Sequence, residues 1–547
     1  MASRAPILAG SRVAPLAASI FPTSVSLNKP VRDAVLSYPT IDFPPRPEDK
    51  QLHHYSSQLR LHLQWAPAAK MQLLMLRNTI ICVVAAGSVN GCFYAGNIFS
   101  LKSSTKQSRP EFLMAMLVWT ILCYATVMII SHLPSLMTQR FLECPHRRPG
   151  LWFCTKKLMI RSSPYFGVSL VGMISIGLLV QNTSLMHQYF KYKVHFYLGD
   201  LCSLVFTAGI TLAVRRIYYE ETYQGRGRRS AVSDVSGPRA ATNSQHSPPS
   251  SPHRPPNYRT PSFWREYLVK FPDALMTALA GGFVHVVSWY HILNQGTVVI
   301  MGFTIFGILL KLALQEAARH YIMKKRIRSI RTMCVLVGVP TVLIDTQTRV
   351  VLLGTQTSSF LMAGTFAMVV AELCLRAAKA AFVIWMIRRR AKALELKLQQ
   401  RSTENSNARA KAALQSELKL EFELWRRQVL SYYTAELTAD MYAEYIAIGC
   451  SQSIVFWYVG HPFYGTLQLE AGTGLSDIDL ERWRFTQVVL LGVQFMVEVL
   501  VDYVCVVMEM AAGINYDRIE SLSTFLGVLF MTIAVLNISI SSAVYLS

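Results

Sequence analysis

Eleven long apolar runs, one after another, constrain this chain more than any other feature. They cover residues 77–99, 112–137, 164–181, 194–214, 274–293, 297–312, 332–354, 358–387, 441–458, 485–508 and 522–546. A bilayer core about 30 Å thick takes about 20 residues of helix. The runs are continuous rather than alternating, and longer than a barrel strand needs. Lipid offers the backbone no hydrogen-bond partner, so each run must close its bonds within a helix. The sequence therefore predicts an all-α, polytopic membrane helix bundle of about eleven transmembrane helices. Composition agrees: only 16% of the 547 residues are charged, against about 25% in soluble domains. The 52% hydrophobic content also excludes a wholly disordered chain. The ninth run is the most dilute, because Glu444 and Gln452 interrupt it and Asp440 borders it. The sixth is short, and Lys311 near its end reads as a snorkelling side chain.

Basic residues orient the runs. Eight Lys/Arg precede the first run, and the next seven connections hold three, six, two, ten, none, six and none. Eleven more follow the eighth run, between Arg388 and Arg427. High and low values alternate, which the positive-inside rule reads as cytosolic and external connections. The N-terminus is then cytosolic and, with eleven spans, the C-terminus lies outside. The predicted plan is a basic disordered tail (1–76), a four-span half (77–214), a Ser/Pro/Arg-rich disordered linker (215–272), a four-span segment (273–387), cytosolic amphipathic helices (388–440) and a three-span segment (441–547).

The first fifty residues are rich in Ala, Ser, Pro and Arg, and their first acid is Asp33. That composition fits a transit peptide or, more simply, a disordered cytosolic tail. It holds no apolar h-region of the secretory kind. In the linker, Ser247, Ser251 and Thr260 each precede a proline, and phosphate there would cancel positive charge near an anionic leaflet. In 388–433, Leu394, Leu398, Leu414, Leu418, Phe422 and Trp425 recur at helical spacing. Residues 402–407 read as a break between two helices. The second suits a membrane surface, a subunit contact or a solvated connector.

Ionisable groups at membrane depth are expensive and face the bundle interior. The tenth run carries Gln487, Gln494, Glu498 and Asp502, and Glu509 borders it. At about 100° per residue these fall within a stripe about 80° wide. No basic residue on the same run neutralises the three carboxylates. They need a cation, a proton, or Lys/Arg from another span. Glu509 lies at the cytosolic end, where solvation alone would suffice. The eighth run offers Glu372, Arg376 and Lys379 at i, i+4 and i+7, which makes Glu372–Arg376 an expected intrahelical pair and leaves Lys379 over. Asp345 and Arg349 on the seventh run form a second expected i, i+4 pair. A salt-bridge network of structural purpose explains these groups as readily as an ion pathway. Asp200, His285 and His291 are single groups, and the two histidines are too far apart on their helix to share a ligand.

Several chemistries are missing. There is no phosphate-binding loop, no H-E-x-x-H and no G-x-S-x-G, so no enzyme is expected. The ten cysteines are scattered, mostly within the runs. Cys144, His146 and Cys154 lack a fourth ligand, so neither a metal nor any other cofactor is expected; Cys144, near the membrane, is instead a candidate for lipid attachment. The basic tails lack a nucleic-acid fold, so no nucleic-acid partner is expected. Asn182 opens an N-x-S acceptor pattern directly after the third run, a possible glycosylation site. The expectation is a secondary transporter or channel, in the plasma membrane or an endomembrane, for a cation, a proton-coupled solute or a cationic solute. The alternative is a receptor, scaffold or assembly factor that docks a cytosolic protein partner.

Overall fold

The computed structural model describes residues 50–144, 147–182, 186–225, 262–290, 297–325, 327, 329–353, 358–402, 408–467, 477–514, 516, 519 and 521–546. Among them there is no β-strand, only an isolated bridge between Phe141 and Thr222. The helices are α1 (Lys50–Ala95), α2 (Arg109–Met137), α3 (Leu151–Asn182), α4 (Met186–Lys191), α5 (Val194–Glu221), α6 (Phe263–Trp289), α7 (Thr297–Lys324), α8 (Ile330–Leu353), α9 (Ser358–Ser402), α10 (Ala408–Tyr458), α11 (Asp477–Ala511) and α12 (Ser523–Tyr545). Nine of the described helices are long and apolar enough to cross a membrane: α1, α2, α3, α5, α6, α7, α8, α11 and α12. The protein is an all-helical, multi-pass membrane protein. α9 and α10 correspond to the eighth and ninth apolar runs and fall outside that set, α10 carrying Glu436, Asp440 and Glu444 where an apolar span would carry none.

The chain divides into two compact units. The first contains residues 128–172 and 200–278. Its Phe141–Thr222 bridge is extended by Leu142 N–H donating to the Glu221 carbonyl at 2.9 Å and Tyr223 N–H to the Arg140 carbonyl at 3.0 Å. Lys157 joins both sides, 2.6 Å from Glu143 and 2.5 Å from Glu221. Arg215 and Glu266 pair at 2.6 Å.

The second unit contains residues 37–127, 173–199 and 279–547, and α10 is its axis. α10 packs against α1, α7, α8, α9, α11 and α12, and every residue from 432 to 452 is buried. Its sequence explains how so many helices approach it. Ala435, Ala439, Ala443 and Ala447 recur every fourth residue, all fully buried, and small residues let helix backbones come close without side chains between them. Gly338 of α8 lies against Ala439. At Gly449 a Cβ would come within 2.4 Å of Val83 on α1, so only glycine admits that contact. Tyr442 stacks on Phe530 of α12 at 4.6 Å and accepts a hydrogen bond from Asn78 of α1. Interhelical polar bonds add to the packing between α8 and α12. Gln347 donates to Ser541 at 2.8 Å, Tyr545 donates to Gln347 at 2.8 Å, and Asn537 donates to Thr346 at 2.6 Å.

Of the break expected at 402–407, Ser402 is the last residue of α9 and 403–407 lie outside the described residues. The boundary drawn at 440/441 falls inside one continuous 51-residue helix. Hydropathy sets the boundary at Met441 because Asp440 borders the run; Glu436 lies one turn earlier. The helix continues through them because both side chains find partners within the bundle. Nearer the start of α10, Trp425 is covered by the Arg390 guanidinium of α9, 4.2 Å from the ring centre.

Candidate functional site: a buried charge array around α10

α11 presents its polar stripe inward. Gln494, Glu498, Asp502 and Glu509 are buried and Gln487 is half-buried, whereas Val488, Val489, Val493, Met496 and Leu500 are exposed. A helix with one polar face and one apolar face turns the polar face to whatever can satisfy it. Two bases from other helices answer. Arg349 of α8 meets Glu498 at 3.0 Å. Arg376 of α9 meets Asp502 directly and lies 3.6 Å from Glu509, whose other oxygen accepts from the Tyr516 hydroxyl.

α10 supplies a second row. Glu436, Asp440 and Glu444 are spaced i, i+4, i+8 and all are buried, so they climb one face of the helix at about 6 Å per step. Lys379 of α9 lies 2.9 Å from Glu436 and 3.6 Å from Asp440. Lys311 of α7 lies 2.8 Å from Asp345 of α8 and 3.4 Å from Glu444. Gln315, one turn beyond Lys311, ties the row together: it donates to Asp440 at 2.6 Å and accepts from Lys379 at 3.0 Å. Tyr432 donates to the Gln315 carbonyl at 3.0 Å.

The arrangement has a simple rule. Lys311, Lys379 and Arg376 each stand between two acids, one held closely and one at 3.4–3.6 Å. Arg349 serves Glu498. Among the described residues, seven carboxyl groups thus surround four bases, an excess of three negative charges. The row on α10 and the stripe on α11 are one electrostatic object, because Glu444 lies within reach of Asp502 and Glu498. The acids are not gathered into a nest: no group of three or more His, Cys, Asp or Glu among the described residues is placed to hold a metal ion.

Two sequence expectations need correcting. Asp345 and Arg349 have separate partners on other helices instead of forming a pair along α8, because each base is drawn to an acid that would otherwise be buried alone. Arg376 reaches across to α11; the Glu372 side chain lies outside the described residues, so the expected Glu372–Arg376 pair is not in view. Lys311 does not snorkel to water: it stays inside, between Asp345 and Glu444. Glu436 and Gln315 carry no mark in the hydropathy pattern, in which Asp440 and Glu444 only dilute a span. The available signal was the i, i+4, i+8 spacing of the three acids opposite Lys311 and Gln315 at i, i+4.

None of the remaining candidates is among the residues of the array. Asn182 is exposed at the end of α3. Cys144 and Cys154 are free thiols, and His146 is outside the described residues, as are Ser247, Ser251, Thr260 and His291. His285 is bonded to the Lys191 carbonyl at 3.1 Å. No family model, no curated protein and no solved structure matches this chain.

Proposed function

We propose that the protein is a secondary transporter or channel whose α10-centred array carries a cation, or protons coupled to a solute. One observation carries the reading: the described array has three more acids than bases, deep among helices suited to a membrane. Carboxylates removed from water cannot stay charged without a counter-ion. The excess has to be met by a proton or another cation, and in this reading that ion arrives and leaves. In this reading Asp440 and Glu444 are the exchanging groups. Glu498 and Asp502, held directly by Arg349 and Arg376, keep the frame.

The same reading takes α9 and α10 as spans, giving eleven, with the N-terminal segment cytosolic and the C-terminal segment outside. The burial of 432–452 among helices apolar enough to cross supports this for α10, and the alternating basic connections support the orientation. A reporter fused after Ser547 should give a signal on the non-cytosolic side; a cytosolic signal rejects the odd count.

The direct ion pairs of Glu498 and Asp502 favour a second reading, in which the array only holds the bundle together. The protein would then be a receptor, scaffold or assembly factor working through its cytosolic segments. Flux separates the two. In proteoliposomes under a proton or cation gradient, Asp440→Asn and Glu444→Gln should lower flux at least about tenfold, a barrier change of about 1.4 kcal/mol. Folded variants with undiminished flux would leave the scaffold reading standing.

A further inference from the structure

The excess acids are distributed, and their distribution says what neutralises them. Each base that serves two acids creates one place where a negative charge is left over. In the Lys311 group the loosely held acid is Glu444, at 3.4 Å, against 2.8 Å for Asp345. In the Lys379 group it is Asp440, at 3.6 Å, against 2.9 Å for Glu436. In the Arg376 group it is Glu509, at 3.6 Å, with Asp502 in direct contact. Oε2 of Glu444 and Oε1 of Glu509 are buried and accept no hydrogen bond, and the same is true of Oδ2 of the closely held Asp502, so the distances and not these oxygens tell the loose acids from the close ones.

A metal ion at these oxygens would lie against fixed positive charge, because each loose acid already has an ammonium or guanidinium within 3.4–3.6 Å. A proton has no such conflict. It sits on one oxygen, turns the carboxylate into a neutral acid, and lets the base go wholly to the other acid. The short-against-long pattern in each group is what that division would produce.

We infer that the array holds three protons, one on the loosely held acid of each group: Glu444, Asp440 and Glu509. This rests on the ion-exchange reading above and names its ion. Loading takes a proton from hydronium in the bathing water, breaking an O–H bond there and forming one on a carboxylate oxygen, and leaves the N–H bonds of the base intact. Unloading releases the proton, and the shared base then divides its charge between two carboxylates. The groups facing these acids fit the assignment from every side. α7 offers Lys311 and Gln315, with Arg319 in electrostatic reach of Glu436 while paired to Glu316 at 3.2 Å. α8 offers Asp345 and Arg349, α9 offers Arg376 and Lys379, and α11 offers Glu498 and Asp502. The remaining neighbours are Tyr432, Tyr433 and Tyr445 on α10, and Tyr516.

Infrared difference spectroscopy of the full chain in lipid nanodiscs near neutral pH tests this without requiring transport. Glu444→Gln, Asp440→Asn and Glu509→Gln should each remove one protonated-carboxyl carbonyl component, one that shifts in heavy water. Glu498→Gln, at the close Arg349 pair, should remove none. Because each spectrum is read as a difference from the unaltered protein, acids elsewhere cancel. If a variant does not fold, the unaltered protein still decides. A protonated-carboxyl band that vanishes on alkalinisation supports the inference, and its absence in folded protein overturns it. So do three variants that all retain the full band, or stoichiometric retention of radioactive sodium, potassium or calcium lost in Glu444→Gln. A band that follows the prediction in a protein without flux would keep the protons and refute the transporter.

Discussion

Arg376→Met is expected to destabilise the protein by about 3–5 kcal/mol, the usual consequence of removing one partner from a buried ion pair. Arg376 is 6% exposed, and the two acids that it serves, Asp502 and Glu509, are 0% and 4% exposed. Methionine fills much the same volume, so the loss is electrostatic rather than a cavity. What remains is two carboxyl groups facing each other across the vacated space. The triple variant Arg376→Met, Asp502→Leu, Glu509→Leu should recover most of that loss, since an apolar replacement of a whole buried ion group is often neutral or better. Unfolding by a denaturing detergent, followed by helix signal at fixed pH, reads both. A single variant as stable as the unaltered protein would show that Arg376 does not neutralise these acids.

Tyr442→Ala should lose a similar amount, about 3–5 kcal/mol, for a different reason: a large aromatic side chain deleted from a packed core leaves a cavity. Tyr442 is 1% exposed, lies on the axial helix, and stacks on Phe530 with the rings 10° from parallel. Asn78 loses that hydroxyl but keeps the Ser523 side chain at 3.0 Å. Tyr442→Phe removes only the hydroxyl and should cost about 1 kcal/mol. The two variants together separate packing from hydrogen bonding in the same unfolding assay, and equal losses from both would contradict the packing account.

The contrast between α11 and α10 shows how far the sequence could be read. The stripe on α11 was legible because helical periodicity alone places Gln487, Gln494, Glu498, Asp502 and Glu509 on one side. The row on α10 obeys the same periodicity, yet Asp440 and Glu444 read there as dilution of a weak span and Glu436 as part of a cytosolic helix. The difference lies in the surroundings. A hydropathy reading charges every acid the full penalty of lipid, whereas α10 packs against six other helices and is buried throughout 432–452, where its three acids lie. Pairing was the least legible part. Asp345–Arg349 is the nearest choice along a helix, but a base settles where the electrostatic need is greatest, and that depends on which helices are neighbours.

The sequence by itself determined that this is a multi-pass, all-helical membrane protein, because lipid imposes length and composition on any segment that crosses it. It also determined that buried acids on α11 would need countercharge, because burial without countercharge is prohibitive wherever it occurs. Only the tertiary structure decided which bases answer which acids, that Lys311 turns inward, and that an acid-bearing helix stands at the centre. Those outcomes depend on contacts between residues as far apart as Lys311 and Glu444 or Arg349 and Glu498. Helical period governs which side chains share a face, but it says nothing about the face opposite.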